Sequence, residues 1–223
     1  MSMNDIAYDA SHLFGTLVLM TSFALLYQRR LFALLHVFTV QALALAAAAA
    51  WQAYAHDEPH LYITALLTLA LKAVAIPVAL HRIIQRLNIQ RTVEPALGIG
   101  LTLLAGVSLV TLSILLVLPV TEGATALTRE DLALSLSVVL LGLLMMISRR
   151  NAVSQVVGFM SIENGLILAA VGVAGMPLVV EMSIAFSVMV AFIIFGIFLF
   201  QIRERFETLD MRRIESFRGE AGE

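Results

Sequence analysis

Apolar residues run along this chain in blocks of about twenty, broken by short polar punctuation, and neither the alternation of a strand nor the single stripe of a surface helix recurs. The blocks predict spans at about 8–27, 31–53, 60–80, 95–119, 131–148, 152–174 and 178–201. At 1.5 Å per residue each is long enough to cross a hydrocarbon core of about 30 Å. The reading is an all-α integral membrane bundle of seven transmembrane helices. Its connections are Gln28-Arg29-Arg30, His56 to His60, His81 to Glu94, Thr121 to Glu130, Arg149-Arg150-Asn151 and Gly175-Met176-Pro177.

Composition agrees: 60% of residues are hydrophobic and 13% charged, against roughly a quarter charged in a soluble domain. The length of 223 residues leaves no room for a separate soluble domain. The absence of cysteine excludes disulfides and thiolate-held metals or clusters within the chain. No redox chemistry, cofactor or nucleic-acid partner is therefore expected of this chain. The net charge of −2 matters less than where the charges fall. Twelve of the 14 basic residues, among them Arg29, Arg30, Arg82, Arg86, Arg91, Arg149, Arg150 and the tail arginines, share one side of the predicted topology. Arg129 lies opposite and Lys72 within a span. Positive residues stay inside, which predicts a cytoplasmic C-terminus and an outward N-terminus. The acidic opening Met-Ser-Met-Asn-Asp does not resemble a cleaved signal peptide.

Residues Leu34 to Gln41 align at a shift of 122 with Val156 to Glu163, each after a helix ending near an Arg-Arg pair. That register suggests three-helix units at 1–94 and 131–202, a linking span at 95–130 and a charged tail at 203–223; chance similarity is the other reading. Thr128 with Asp131 resembles a capping box, so Glu94, Glu130 and Asp131 read as helix-end residues. Trp51, Tyr54 and Tyr62 fall near outer span ends, where interfacial aromatics sit.

Few ionisable groups lie within the spans. Glu163 falls near the centre of the sixth, between Gly158 and Gly172. A carboxylate there costs about 2.5–3.5 kcal/mol on insertion scales. Two readings stand, a proton relay and a neutral acid hydrogen-bonding a neighbouring helix. Lys72, the sole lysine, is central in the third span and either titrates or pairs with an acid, such as one from a partner subunit. Pro77, five residues on, removes the bond to the Ala73 carbonyl and predicts a bend. Gln41 and Asn164 are candidate supporting amides, and His36 a candidate supporting histidine. His36 and His81 leave haem ligation conceivable, with interhelical hydrogen bonding the commoner role. His56 and His60 imitate a metal pair, but Pro59 interrupts the helix such a pair needs. Glu181 is shallow enough to be solvated. Gly158, Gly165 and Gly172 recur every seven residues and predict a smooth packing stripe.

Ser-Ile-Glu-Asn-Gly at 161–165, with the tail pattern Leu209-Asp210-Met211, Ile214, Phe217, Arg218, Gly219, resembles the K-type subunit of respiratory complex I and the C subunit of multisubunit sodium/proton antiporters. With the preceding helices, the whole chain resembles the hydrogenase-4 component E family. The resemblance implies that Glu163 corresponds to that family's principal buried glutamate. It also implies antiporter-like membrane neighbours and, indirectly, a peripheral redox arm. The complex I subunit's second glutamate would fall at about Ala191, where no acid stands. Lys72, or a group on an adjacent subunit, is the candidate for the next station.

Overall fold

The computed structural model describes residues 3–87, 98–123 and 126–172, together with Phe186, Ser187, Met189, Val190, Ile193 and Gly196. Among these it is all-helical: α1 (Met3–Tyr27), α2 (Leu31–His56), α3 (Pro59–Leu67), a π-helical stretch Thr68–Ala75, α4 (Ile76–Leu87), α5 (Ile99–Val120), α6 (Ala126–Ser148) and α7 (Ala152–Gly172). The third predicted span is thus one rod, α3–π–α4. Among the described residues, six helices are long and apolar enough to cross a membrane, and the chain is a multi-pass membrane protein by that measure. The predicted seventh span, Glu181, Ala191 and the tail lie outside the described residues, apart from the six residues named above.

Sequence explains most of the boundaries. Pro59 opens α3 at a position where its missing N–H costs nothing. Asp57, in the left-handed region with φ 56°, closes α2. The break expected at Pro77 is spread over the turns before it: the helix widens to π register, and the Ile76 N–H bonds the carbonyl of Leu71, five residues back.

Glu130 and Asp131 differ from expectation. Helix α6 begins at Ala126, so neither residue caps it. Asp131 is buried against Gly172, where an added Cβ would lie 2.7 Å from the Asp131 Cβ. Glu130 pairs instead with His12 of α1, at 3.3 Å.

The helices pack around two of their number. Helix α2 lies against α1, the α3–π–α4 rod and α7, while α6 lies against α7, α5 and α1. The α6–α7 seam is the closest. A Cβ on Gly142 would stand 2.8 Å from the backbone nitrogen of Ile162, and one on Gly165 2.9 Å from the Ser135 carbonyl. Gly158 faces Met146 and the Gly142 carbonyl in the same way. The glycine stripe is thus one wall of this seam, where small residues let backbones approach. Helix α5 is peripheral, with 17% of its span buried, and Ser113 anchors it by donating to the Ala133 carbonyl at 2.9 Å.

Two apolar clusters divide the interior. One gathers Leu25, Leu34, Phe38, Ile76, Met145 and Met160 toward the arginine-bearing loops. The other gathers Val18, Leu45, Leu61, Ala65, Ile167 and Val171 toward the opposite end. Between them, on each helix, falls the residue that sequence singled out: Gln41 between Phe38 and Leu45, Lys72 between Ala65 and Ile76, Glu163 between Met160 and Ile167.

A candidate ion-relay site between two apolar clusters

Three elements each place one polar group at mid-length. Gln41 is central in the 25-residue span Leu31–Ala55, Lys72 in the 27-residue span Pro59–Gln85, and Glu163 in the 21-residue span Ala152–Gly172. Packing of α2 against both α7 and the π stretch brings them into one layer. Lys72 sits in that π stretch, a helix variant that recurs at functional positions.

The contacts form a continuous line. Lys72 Nζ lies 3.3 Å from Glu163 Oε1 and donates to Asn164 Oδ1 at 2.9 Å. Asn164 Nδ2 donates to Gln41 Oε1 at 3.1 Å. Gln41 Nε2 in turn reaches Ser22 Oγ of α1 at 2.7 Å and Ser161 Oγ at 3.1 Å. At the other end, the Ser187 hydroxyl donates to Glu163 Oε1. The ion pair is almost wholly withdrawn from solvent, with Lys72 1% and Glu163 3% exposed. One acceptor stays open: Glu163 Oε2 is buried with no hydrogen-bond partner among the described residues.

This arrangement has a direction. The amide N–H groups lead away from Lys72: Asn164 donates to Gln41 on α2, and Gln41 to Ser22 on α1 and back to Ser161 on α7. Primary amides hold no exchangeable charge near neutral pH, so the Asn164–Gln41 segment orients the lysine and carries no proton itself. The groups able to change charge are Lys72 and Glu163, in contact with each other. They can share one proton as ammonium and carboxylate or as amine and carboxylic acid.

The acid facing Lys72 therefore comes from its own chain. Glu163, Lys72, Gln41 and Asn164 are brought together; His36 is exposed on the outside of α2 and takes no part. His81 packs against Phe32, with ring centroids 4.7 Å apart, and bonds Gln85 at 2.8 Å. His60 lies 3.2 Å from Glu58 on the surface. No group of three or more metal-ligating residues occurs among the described residues.

The chain is 29% identical over 206 residues to the uncharacterized protein Rv0085 of Mycobacterium tuberculosis, a match covering 92% of this chain and 93% of the relative. No family model and no solved structure matches it. The similarity runs through the helices that build the site.

Sequence reasoning missed Ser22, Ser161 and Ser187. Serines are common in membrane helices and bond their own backbone there, as Ser22 also does to the Val18 carbonyl. Only the packing shows which of them face the layer.

Proposed function

We propose that this protein is a membrane subunit of an ion-pumping, complex-I-like oxidoreductase assembly, in which Glu163 and Lys72 form a proton station and the chain does no redox chemistry. The observation that carries the reading is the placement of the Lys72–Glu163 pair in a polar layer with apolar clusters on either side. Polar contacts run across the bundle from Ser187 to Ser22, parallel to the membrane plane. A solute transporter requires polar access along the membrane normal, which those clusters oppose. A lateral relay requires a dry layer with an acceptor free to take a proton, and Glu163 Oε2, buried without a hydrogen-bond partner among the described residues, is such an acceptor.

In this mechanism a proton reaches Glu163 at Oε2 from a neighbouring subunit and gives the neutral acid beside a neutral Lys72. Transfer of that proton from the carboxyl to the amine yields carboxylate and ammonium, now an ion pair. Reversal returns the proton to Glu163 for release. The amides of Asn164 and Gln41 hold the lysine in reach and close the line toward α1. The arginine-rich loops face the cytoplasm, as the positive-inside bias favours, in a bacterial inner membrane. The similarity of Ser161 to Gly165 and of the tail to the K-type subunit supports antiporter-like neighbours.

The test is ion pumping by the intact complex in vesicles, comparing wild type with Glu163→Gln and Lys72→Met once assembly and electron transfer are shown to survive. Pumping is expected to fall sharply in both variants. Unchanged pumping in Glu163→Gln would make the acid a structural element and defeat the proposal. Robust transport by the purified chain alone in liposomes would favour a self-sufficient transporter instead.

A further inference from the structure

A second buried cation lies far from the proton station. Arg149 sits in the loop between α6 and α7, one residue beyond the span Thr128–Ser148. It is 2% exposed. Its backbone is fixed: Arg149 and Arg30 are the isolated β-bridge residues of the two arginine loops, and Gln155 Nε2 donates to the Arg149 carbonyl at 3.0 Å. Its Nη2 donates to the Leu26 carbonyl in the last turn of α1. Nε and Nη1 are buried and have no acceptor among the described residues.

Two unsatisfied donors on a buried guanidinium are costly, because a charged donor stripped of water loses more than a neutral one. The surroundings make matters worse. Burial and the neighbouring Arg29 both lower the Arg149 affinity for its proton. Arg29, Arg30 and Arg150 are exposed in the same two loops, and no acidic residue lies in either loop. Helix α7 starts three residues on, at Ala152, so its positive N-terminal end lies close by in the chain, with Asn151 Oδ1 accepting from the Val153 N–H. In its first turn the hydroxyl of Ser154 is likewise buried without a partner.

We propose that Arg149, with the first turn of α7, binds a phosphate group at the arginine-rich end of the bundle. A phosphate supplies several acceptor oxygens and a negative charge, which suits a planar guanidinium with open N–H groups. The depth suits a lipid headgroup: Arg149 follows the end of one span, and its partner Leu26 precedes the end of another. Free inorganic phosphate would satisfy the same donors. The proposal stands apart from the proton station, since none of its residues belongs to the polar layer.

The experiment uses the full chain in nanodiscs. One arm is made of phosphatidylcholine with phosphatidylglycerol added, and retained lipid is counted by native mass spectrometry. The other arm is phosphatidylcholine alone, titrated with inorganic phosphate and followed by phosphorus NMR. Retention of phosphatidylglycerol by the wild type, about tenfold weaker in Arg149→Met and little changed in Arg150→Gln, is the expected result. Binding of inorganic phosphate with the same dependence on Arg149 identifies free phosphate as the source. Arg149→Lys keeps the charge but loses the fork, so its weakened retention serves if Arg149→Met fails to fold. Wild-type protein that retains neither probe above phosphatidylcholine alone, or an Arg149→Met protein that binds as tightly as wild type, overturns the proposal.

Discussion

Lys72 and Arg149 are both buried cations, and the chain treats them differently. Lys72 meets a carboxylate and an amide of α7, neighbours to each other in sequence. Arg149 meets one backbone carbonyl and leaves two nitrogens open. The first charge is compensated within the fold, and the second has no compensating acid among the described residues. A buried cation with an internal partner can exchange its proton with that partner. One without reports on its surroundings.

The largest break in this comparison comes from making Lys72 resemble Arg149. Glu163→Leu leaves a buried ammonium with no counter-charge in the layer, and loss of about 3–5 kcal/mol of stability is expected, measured by reversible unfolding in a bilayer mimic. Lys72→Met combined with Glu163→Leu should recover more than half of that loss, because a pair replaced as a whole leaves no orphaned charge. A double variant no more stable than Glu163→Leu alone would mean that the loss does not come from an orphaned ammonium.

Asn164→Leu is a smaller cut. It keeps the ion pair but removes the acceptor for Lys72 and the donor to Gln41, for an expected loss of about 1–3 kcal/mol. An unchanged unfolding midpoint would show that the amide line does not hold the lysine. Arg150→Gln, beside Arg149 but exposed, should change stability by no more than about 0.5 kcal/mol. A larger change would mean that burial is not what sets the two arginines apart.

Much of this was legible in the chain, for reasons that also mark where reading stops. Helix positions followed from apolar runs, because a hydrocarbon core leaves little choice of length. Glu163 and Lys72 stood out because an ionisable group within a span is costly. Their contact was not legible, since it joins residues 91 apart in sequence and depends on how α2 seats both the π stretch and α7. Pro77 announced an irregularity, but the π register it accompanies required the backbone. Arg149 entered the reading only as one positive charge among twelve. A loop arginine is expected in water, and nothing in its neighbours' hydropathy says that its guanidinium turns inward. Asp131 misled for a related reason, because an acid near a helix start resembles a cap until the helix proves longer.

The glycine seam has a consequence for how such a site tolerates change. Ile162, whose backbone nitrogen would stand 2.8 Å from a methyl on Gly142, is the residue immediately before Glu163. The carboxylate's seat is thus machined by removal of material: its position rests on three places in α6 and α7 where nothing projects. A single added carbon at Gly142 would lever α7 outward at the acid itself, so the residues most intolerant of substitution here include some with no chemistry to lose.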